Sequence, residues 1–321
     1  MTTTAEQRQT EAWQAGIWRR GKVLAGFAVL TALVLAGHGL VPNRVGNLGS
    51  LLETILPWVG VFVPLLLVLA LFRRSALALV VLLVPTIVWI VLFGGHLADK
   101  RSPGHGDLTI VSHNVNDANP DQAGTARSLA ASGAQVVALE ELSGSAVRSY
   151  EDALAGSYAY HSVQGTVGIW STYPIHDTRP VRIMPWTRAL RTTVDTPKGP
   201  LTVFVAHLPS VRVRVDSGFT TDERNTALGL LADAISAGPA GRTVVVGDFN
   251  GSTDDRALAP ITSRMRSAQD EAGDGFGFTW PSPFPMTRID QIFVDGVRPL
   301  AAWTLPATGS DHLPVAASLA L

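Results

Sequence analysis

The residues best suited to chemistry in this chain recur at the ends of apolar, β-branched runs. Thr243 to Asn250 is the clearest case. Thr-Val-Val-Val reads as a buried strand, Gly247 is expected to let the backbone turn, and Asp248 and Asn250 then project from the tip. A carboxylate and an amide so placed make a site, although an Asp-Asn turn explains the pair equally well when it is taken alone. Gln135 to Leu139 is a second strand and ends in Glu140-Glu141. Adjacent carboxylates at a strand end repel unless a cation or a donor lies between them, which points to a metal. Leu201 to Ala206 runs directly into His207, which in isolation also fits a satisfied core histidine. Arg288 to Val294 alternates as a strand with Asp290 opposite Ile289 and Gln291, and Ser310-Asp311-His312 precedes a last apolar strand, Ala316 to Leu321.

The elements that must position these groups follow from periodicity. Leu108 to Ser112 reads as a strand leading to His113, Asn114 and Asn116, and Asp121 to Ser132 and Asp222 to Ala237 have helical spacing. Gly168 to Ile175 is a short strand that turns at Ser171 to Pro174. Leu190 to Asp195 and Leu201 to Ala206 flank the Lys198-Gly199 turn as a hairpin. Pro260 to Gly277 reads as a helix and an irregular loop, and Phe278 to Pro285 adds Trp280 and Phe284 among prolines.

A chain of 321 residues allows about two domains, and the absence of cysteine excludes disulfides, thiolate metal sites and a cysteine nucleophile. The mean hydropathy of +0.23 is high for a soluble protein, and the apolarity is concentrated in the first hundred residues. Val23 to Val41, Leu51 to Phe72 and Ser75 to Leu97 are each near the roughly 20 residues that cross a bilayer as a helix, so three transmembrane helices are expected. Arg8, Arg19, Arg20, Lys22, Arg73 and Arg74 fall on one side of these spans, against Arg44, Lys100 and Arg101 on the other. That bias puts the N-terminus inside and everything from Ser102 onward outside the cytoplasm. The layout expected is a cytoplasmic tail over 1–22, membrane helices over 23–98, a linker over 99–107 and a globular domain over 108–321. Trp58 and Trp89 are candidate interfacial anchors, and His38 and Glu53, near span ends, are expected at headgroup level.

From Asp99 onward there are 23 acidic and 18 basic residues, and before it 3 and 7, which together make the chain's 26 and 25. A globular part with a balance of −5 is poorly suited to a polyanion, so no nucleic-acid partner is expected.

The ordered set Asn114-Val115-Asn116, Leu139 to Glu141, Gly168 to Ile175, His207-Leu208, Gly247 to Asn250, Arg288 to Asp290 and Ser310 to His312 resembles the endonuclease/exonuclease/phosphatase superfamily. The likeness covers about Leu108 to Leu321. It implies an α/β fold, a DNase I-like four-layer sandwich of two mixed β-sheets flanked by helices, with the site where strand tips converge. It also implies roles. Glu141 resembles the principal Mg²⁺ ligand, with Mn²⁺ the alternative ion, and Glu140 stands in the place of the family's glutamine, adding a negative charge beside the metal. Asn114 and Asn116 resemble the polar pair near metal and phosphate, and Asp311 approaches the metal. Asp248 resembles the aspartate that orients or deprotonates the attacking water, with Asn250 its partner. His312, oriented by Asp290, resembles the histidine that stabilises the phosphorane or protonates the leaving oxygen, and His207 matches a second histidine of the nuclease and sphingomyelinase branches. Such chemistry needs hard oxygen ligands, an in-line water and a histidine that keeps its proton near neutrality.

Fold does not settle substrate. A site tethered outside a membrane, with an acidic balance and an apolar Trp280 to Phe284 segment, suits a phosphorylated lipid, and Arg212 and Arg214 are candidates to grip a second phosphate. Three spans followed by this domain resemble the membrane-bound branch associated with glycopeptide (teicoplanin) resistance, the VanJ type. That resemblance implies a phosphatase acting on an undecaprenyl-linked phosphate or pyrophosphate. The alternatives are a membrane-tethered extracellular nuclease or sphingomyelinase-like phosphodiesterase and, in another class, a non-catalytic phosphoester-binding module.

Overall fold

Among the described residues, four α-helices lie between Lys22 and Phe93, where the three apolar stretches predict three. The computed structural model describes residues 16–104, 106–214 and 216–321, so the first fifteen residues of the expected tail, including Arg8, and His105 of the expected linker lie outside the described residues. The chain divides into one unit that ends at Gly95 and another, His96–Leu321. In the first unit the helices are α1 Lys22–Gly37, α2 Leu48–Val59, α3 Phe62–Phe72 and α4 Ala76–Phe93. Two helical stretches, Lys22–Leu40 and Ala76–Leu97, are long and apolar enough to cross a membrane. The middle one, expected as a single span, is α2 and α3 bent by 50° at a short break, and becomes a third span only if the pair counts as one. Pro57 and Pro64 flank the break, and Trp89 Nε1 donates to the Pro57 carbonyl at 2.9 Å, giving that carbonyl a partner next to the break. His38 Nδ1 and Glu53 Oε1 lie 3.3 Å apart, so the two polar groups expected separately at headgroup level form one pair.

The second unit begins with β1 Leu108–Asn114, α5 Gln122–Ala131, β2 Val136–Glu140, α6 Val147–Leu154, β3 Tyr160–Gln164, β4 Val167–Ser171, β5 Ile175–Pro180, β6 Ala189–Thr196 and β7 Gly199–His207. It continues with β8 Val213–Arg214, β9 Gly218–Phe219, α7 Asp222–Ser236, β10 Thr243–Asp248, α8 Ala259–Thr262, β11 Arg266–Ser267, α9 Ala268–Ala272, β12 Asp290–Asp295, β13 Arg298–Thr304 and β14 Val315–Ala320. Two six-stranded sheets result, β13-β14-β1-β2-β4-β3 and β11-β12-β10-β7-β6-β5, with β8 and β9 forming a separate hairpin. Each sheet is mixed, with one parallel pair, β1 with β2 or β7 with β10, among antiparallel neighbours.

The two-residue period of the strands builds four layers. Ile110, Val136, Ala138, Val203, Val205, Val244 and Val246 face the space between the sheets and form its core. Their neighbours turn the other way. Val111, Val137 and Leu139 pack with Leu129 of α5 and Tyr150 of α6, whereas Phe204, Ala206 and Val245 pack with Leu228 and Leu231 of α7. The segment expected as a linker is tied down, since Lys100 N donates to Gly273 O, Ser102 N to Leu300 O and Asp107 N to Leu319 O.

Register sets the chemistry. Parallel pairing places Asn114 opposite Glu140 in one sheet and His207 opposite Asp248 in the other, and antiparallel pairing places Asp290 opposite Asp248. Gly247 does not turn the chain as its sequence context suggests, because β10 continues through it to Asp248. Its φ of +139° and a hypothetical Cβ only 1.8 Å from the Ala206 carbonyl oxygen show why glycine is required: the backbone of β7 passes where a side chain would stand. Gly247→Ala is accordingly expected to cost about 3 kcal/mol, near the upper end for overpacking. In the detergent-solubilised chain this appears as a fall of roughly 10 °C in the unfolding midpoint. An unchanged midpoint would show that β7 yields to the added methyl.

Candidate active site

Three strands deliver their site residues in the same strained way. Just past the tips of β1, β2 and β10, Asn116, Glu141 and Asn250 adopt left-handed backbone conformations with φ of 60°, 59° and 47°. Asparagine tolerates that region and glutamate rarely visits it, so the surroundings must hold Glu141 there. Around Asn250 the support is visible: Arg224 of α7 donates from Nη1 to the Asn250 carbonyl at 3.2 Å and from Nη2 to the buried Asp255 carboxylate at 2.6 Å. Asn114 has its own tie, its Oδ1 accepting from Asn116 N at 3.1 Å.

Asp248 lies at the centre. Its Oδ2 accepts from Asn114 Nδ2 and Asn250 Nδ2, each at 3.0 Å, and its Oδ1 from Asn250 N at 2.8 Å. Burial raises its carboxyl to about 7, with the charge of Asp290 adding to the rise while His312 and the amide donors oppose it. Asp290 and His312 form a dyad, with His312 Nδ1 2.9 Å from one carboxylate oxygen and 3.1 Å from the other. Burial alone would lower the imidazole, but the charge and hydrogen bond of Asp290, with Asp248 behind it, lift it to about 10. At neutral pH His312 is therefore an imidazolium with Nδ1–H on Asp290 and Nε2–H left to donate.

His207 takes the opposite state. Burial first, then the charges of Arg188 and His312, push it well below its ordinary value, so it is neutral. Arg188 Nη2 lies 2.7 Å from Nδ1 and 2.5 Å from Nε2, and a guanidinium only donates, so one ring nitrogen of His207 accepts. Nε2 is also 3.3 Å from Glu141 Oε1 and 3.7 Å from Asp248 Oδ2. Beside it opens a cavity of about 360 Å³ lined by Asp117, Glu141, Leu142, Ser143, Thr166, Trp186, Arg188, His207 and Ser210.

Glu140 differs from expectation. It is fully buried, its Oε1 accepts from Ser112 Oγ at 2.8 Å, its Oε2 meets no partner, and burial pushes its carboxyl well above the usual range. Burial thus favours its neutral form, closer in charge to the glutamine it replaces than to the added negative charge expected beside a metal. Asp311 is exposed and engaged, accepting from Asn116 Nδ2 at 2.8 Å and Trp280 Nε1 at 3.2 Å. It stands outside the acidic and histidine clusters found among the described residues. Arg212 and Arg214 are exposed on the β8–β9 hairpin and do not line the cavity, whereas Arg188, which no spacing in the sequence singles out, does.

Two clusters have donor atoms within 4.8 Å of one another: Glu141, His207 and Asp248, and Asp248, Asp290 and His312. In the second, His312 is already engaged with Asp290 through Nδ1. The first fits a hard divalent cation, with carboxylate oxygens from Glu141 and Asp248 and room on the cavity side for waters.

The folded chain holds protons on Asp248 and His312 that the unfolded chain has released, so stability falls as pH rises through 3.8 to about 7 for the first and 6.5 to about 10 for the second. In EDTA, the unfolding midpoint of the chain is expected to fall between pH 7 and 10. Asp290→Asn removes the main influence that raises His312, so the fall should flatten in that range. The same slope in both proteins would mean that His312 is not held charged by Asp290.

The profile of the Endonuclease/Exonuclease/phosphatase family matches residues 111–312, more than half of the chain, and no curated protein matches it. Among solved structures, a mannosyl-6-phosphatase from Bacteroides thetaiotaomicron is 16% identical, with a TM-score of 0.56 over 67% of this chain and 100% of that one. TDP2 from D. rerio, solved with a single strand DNA product, is 20% identical, with a TM-score of 0.54 over 67% and 99%. Beta toxin from Staphylococcus aureus is 15% identical, with a TM-score of 0.53 over 65% and 99%. At these identities the likeness shows the fold. With the family profile running from β1 to His312, the chain belongs to the Endonuclease/Exonuclease/phosphatase family.

Proposed function

We propose that the chain is a metal-dependent phosphoesterase that hydrolyses a lipid-linked phosphate or pyrophosphate, such as undecaprenyl pyrophosphate, at the outer face of a membrane. The observation that carries the hydrolytic reading is the geometry that holds two neighbours in different protonation states, Asp248 bound by Asn114 and Asn250 at about 7 and His312 bound to Asp290 at about 10. One accepts a proton near neutrality and the other holds one to give. Asp248, fixed by Asn114 and Asn250, takes the proton of the attacking water as its oxygen bonds to phosphorus. The bond from phosphorus to the leaving oxygen breaks, and His312 supplies that oxygen with the proton of Nε2 while Asp290 steadies Nδ1. Glu141 would hold Mg²⁺ or Mn²⁺ with His207 and Asp248 beside it, and such an ion would supply charge neutralisation for the phosphate.

The lipid reading rests on the apolar helices near the N-terminus, the exposed Trp280 and Phe284 on the loop that Asp311 ties to the site, and the likeness to the VanJ-type branch. On that likeness the physiological outcome is resistance to glycopeptides such as teicoplanin. A nuclease or sphingomyelinase-like diesterase is the second reading, favoured by the structural likeness to TDP2, which was solved with a single strand DNA product. The acidic balance of −5 from Asp99 onward weighs against DNA. A non-catalytic module is disfavoured because Glu141, Asp248, Asp290 and His312 are all present.

Phosphate release by the purified full-length protein should be measured on undecaprenyl pyrophosphate and, in parallel, cleavage of plasmid DNA, each with Mg²⁺ and with EDTA. Release from the lipid is expected with Mg²⁺ alone, and Asp248→Ala should lower it about 10³-fold, as for loss of a general base. Cleavage of DNA with no turnover of any lipid phosphate would overturn the lipid reading.

A further inference from the structure

Arg188 carries a charge that the protein does not neutralise by contact. Its partners are the His207 carbonyl, 3.1 Å from Nε, the Leu208 carbonyl, 3.4 Å from Nη2, and the neutral His207 ring. Glu141 and Asp248 act on it only from beyond ion-pair distance, and among the described residues Nη1 makes no hydrogen bond. The guanidinium is half-buried in the wall of the cavity that it shares with Glu141, Ser143, Trp186 and Ser210. Withdrawing such a group from water without a paired anion is costly unless a ligand supplies the anion.

The chemistry of that ligand follows from the donor and its position. A guanidinium pinned on one side presents a fixed edge of N–H groups, the geometry that suits phosphate oxygens. The cavity adjoins Glu141 and, through His207, Asp248, so the anion it takes lies next to the phosphorus under attack. At about 360 Å³ it falls within the range of small-molecule sites and has room for more than one phosphate.

We infer that Arg188 is the specificity-determining residue for a second phosphate, making the preferred substrate a diphosphate ester rather than a monoester or a diester. The terminal phosphorus sits among Glu141, Asp248 and His312, and the inner phosphate meets Arg188 Nη1 and the hydroxyls of Ser143 and Ser210. Water adds to the terminal phosphorus and gives its proton to Asp248. The bond to the bridging oxygen breaks, that oxygen leaves on the inner phosphate with the proton of His312, and the products are inorganic phosphate and a monophosphate ester. Arg212 and Arg214 take no part.

This inference rests on the phosphoesterase reading, and the test separates the two. Full-length protein in detergent with Mg²⁺ is assayed on a matched pair, an isoprenyl diphosphate and the monophosphate of the same chain, with thermal melts as the check on folding. Wild type should favour the diphosphate by at least tenfold in kcat/KM. Arg188→Ala should reduce that preference at least tenfold, chiefly through KM, and added guanidinium should restore part of it. Arg188→Lys, which keeps the charge without the fork, should fall between. An equal loss on both substrates would overturn the inference and leave Arg188 as a positioning residue for His207. So would a loss of preference in Arg212→Ala/Arg214→Ala instead, or monophosphate turnover with no preference in wild type. Hydrolysis of neither substrate by wild type would remove the lipid-phosphate reading and this inference with it.

Discussion

The catalytic end of this protein depends on burying three carboxylates within one small, water-poor volume. Glu140, Asp248 and Asp290 are 0%, 1% and 1% exposed, and three ionised carboxylates do not coexist under such conditions. Each meets the constraint differently. Burial shifts Glu140 toward its neutral form, and its carboxyl leans on Ser112. Asp290 is paired with an imidazolium. Asp248, between them, accepts three hydrogen bonds from amides and stays close to half-protonated at neutrality. The differences among these groups come from what the register of the sheets puts beside each one, since His207, Asp248 and Asp290 share a single row across β7, β10 and β12.

The same row needs mechanical support, because left-handed residues at strand tips relax unless something over-determines them. Arg224 and Asp255, both 0% exposed, provide it for Asn250. A buried ion pair is weak grounds for stability, since a well-packed apolar replacement often serves as well. An apolar replacement has no donor for the Asn250 carbonyl, however. The pair is better understood as fixing the direction of one turn, and through Asn250 the two amide bonds that reach Asp248.

Much of this was legible in the sequence, and the rest was hidden for identifiable reasons. The central strands β1, β2, β7, β10 and β12 announce themselves because both of their faces are covered, leaving near-continuous apolar runs. The strands that went unread, apart from the separate β8–β9 hairpin, are β3 Tyr160–Gln164 and β13 Arg298–Thr304 at the edges of one sheet and β5 Ile175–Pro180 and β11 Arg266–Ser267 at the edges of the other. Edge strands carry polar residues and proline, which blurs the alternation. Strand-tip residues were readable as types, but not in their charge states. Glu140 looks like an added charge until its burial is known. Arg188 precedes β6 as any solvated cation might, and only the pairing of β6 with β7 carries it beneath His207. Arg212 and Arg214 drew notice by following His207 in the chain, yet the hairpin that bears them leaves both exposed.

Charge placement also explains why the net balance of the globular part is a guide to extended partners and a poor one to small ligands. Binding a polyanion requires many surface cations spaced along its backbone, and a balance of −5 from Asp99 onward counts against that. A single phosphate group requires only a few fixed cations where water is scarce, and distant surface carboxylates matter little beyond the screening length of about 10 Å. Here His312 and Arg188 are both fixed beside the carboxylate cluster, one held by Asp290 and the other by the backbone of His207 and Leu208. Neither is free to swing toward solvent as a surface lysine would, so their positive charge stays at the carboxylate cluster. Under the proposed reading, that arrangement favours a compact, highly charged group over a long one.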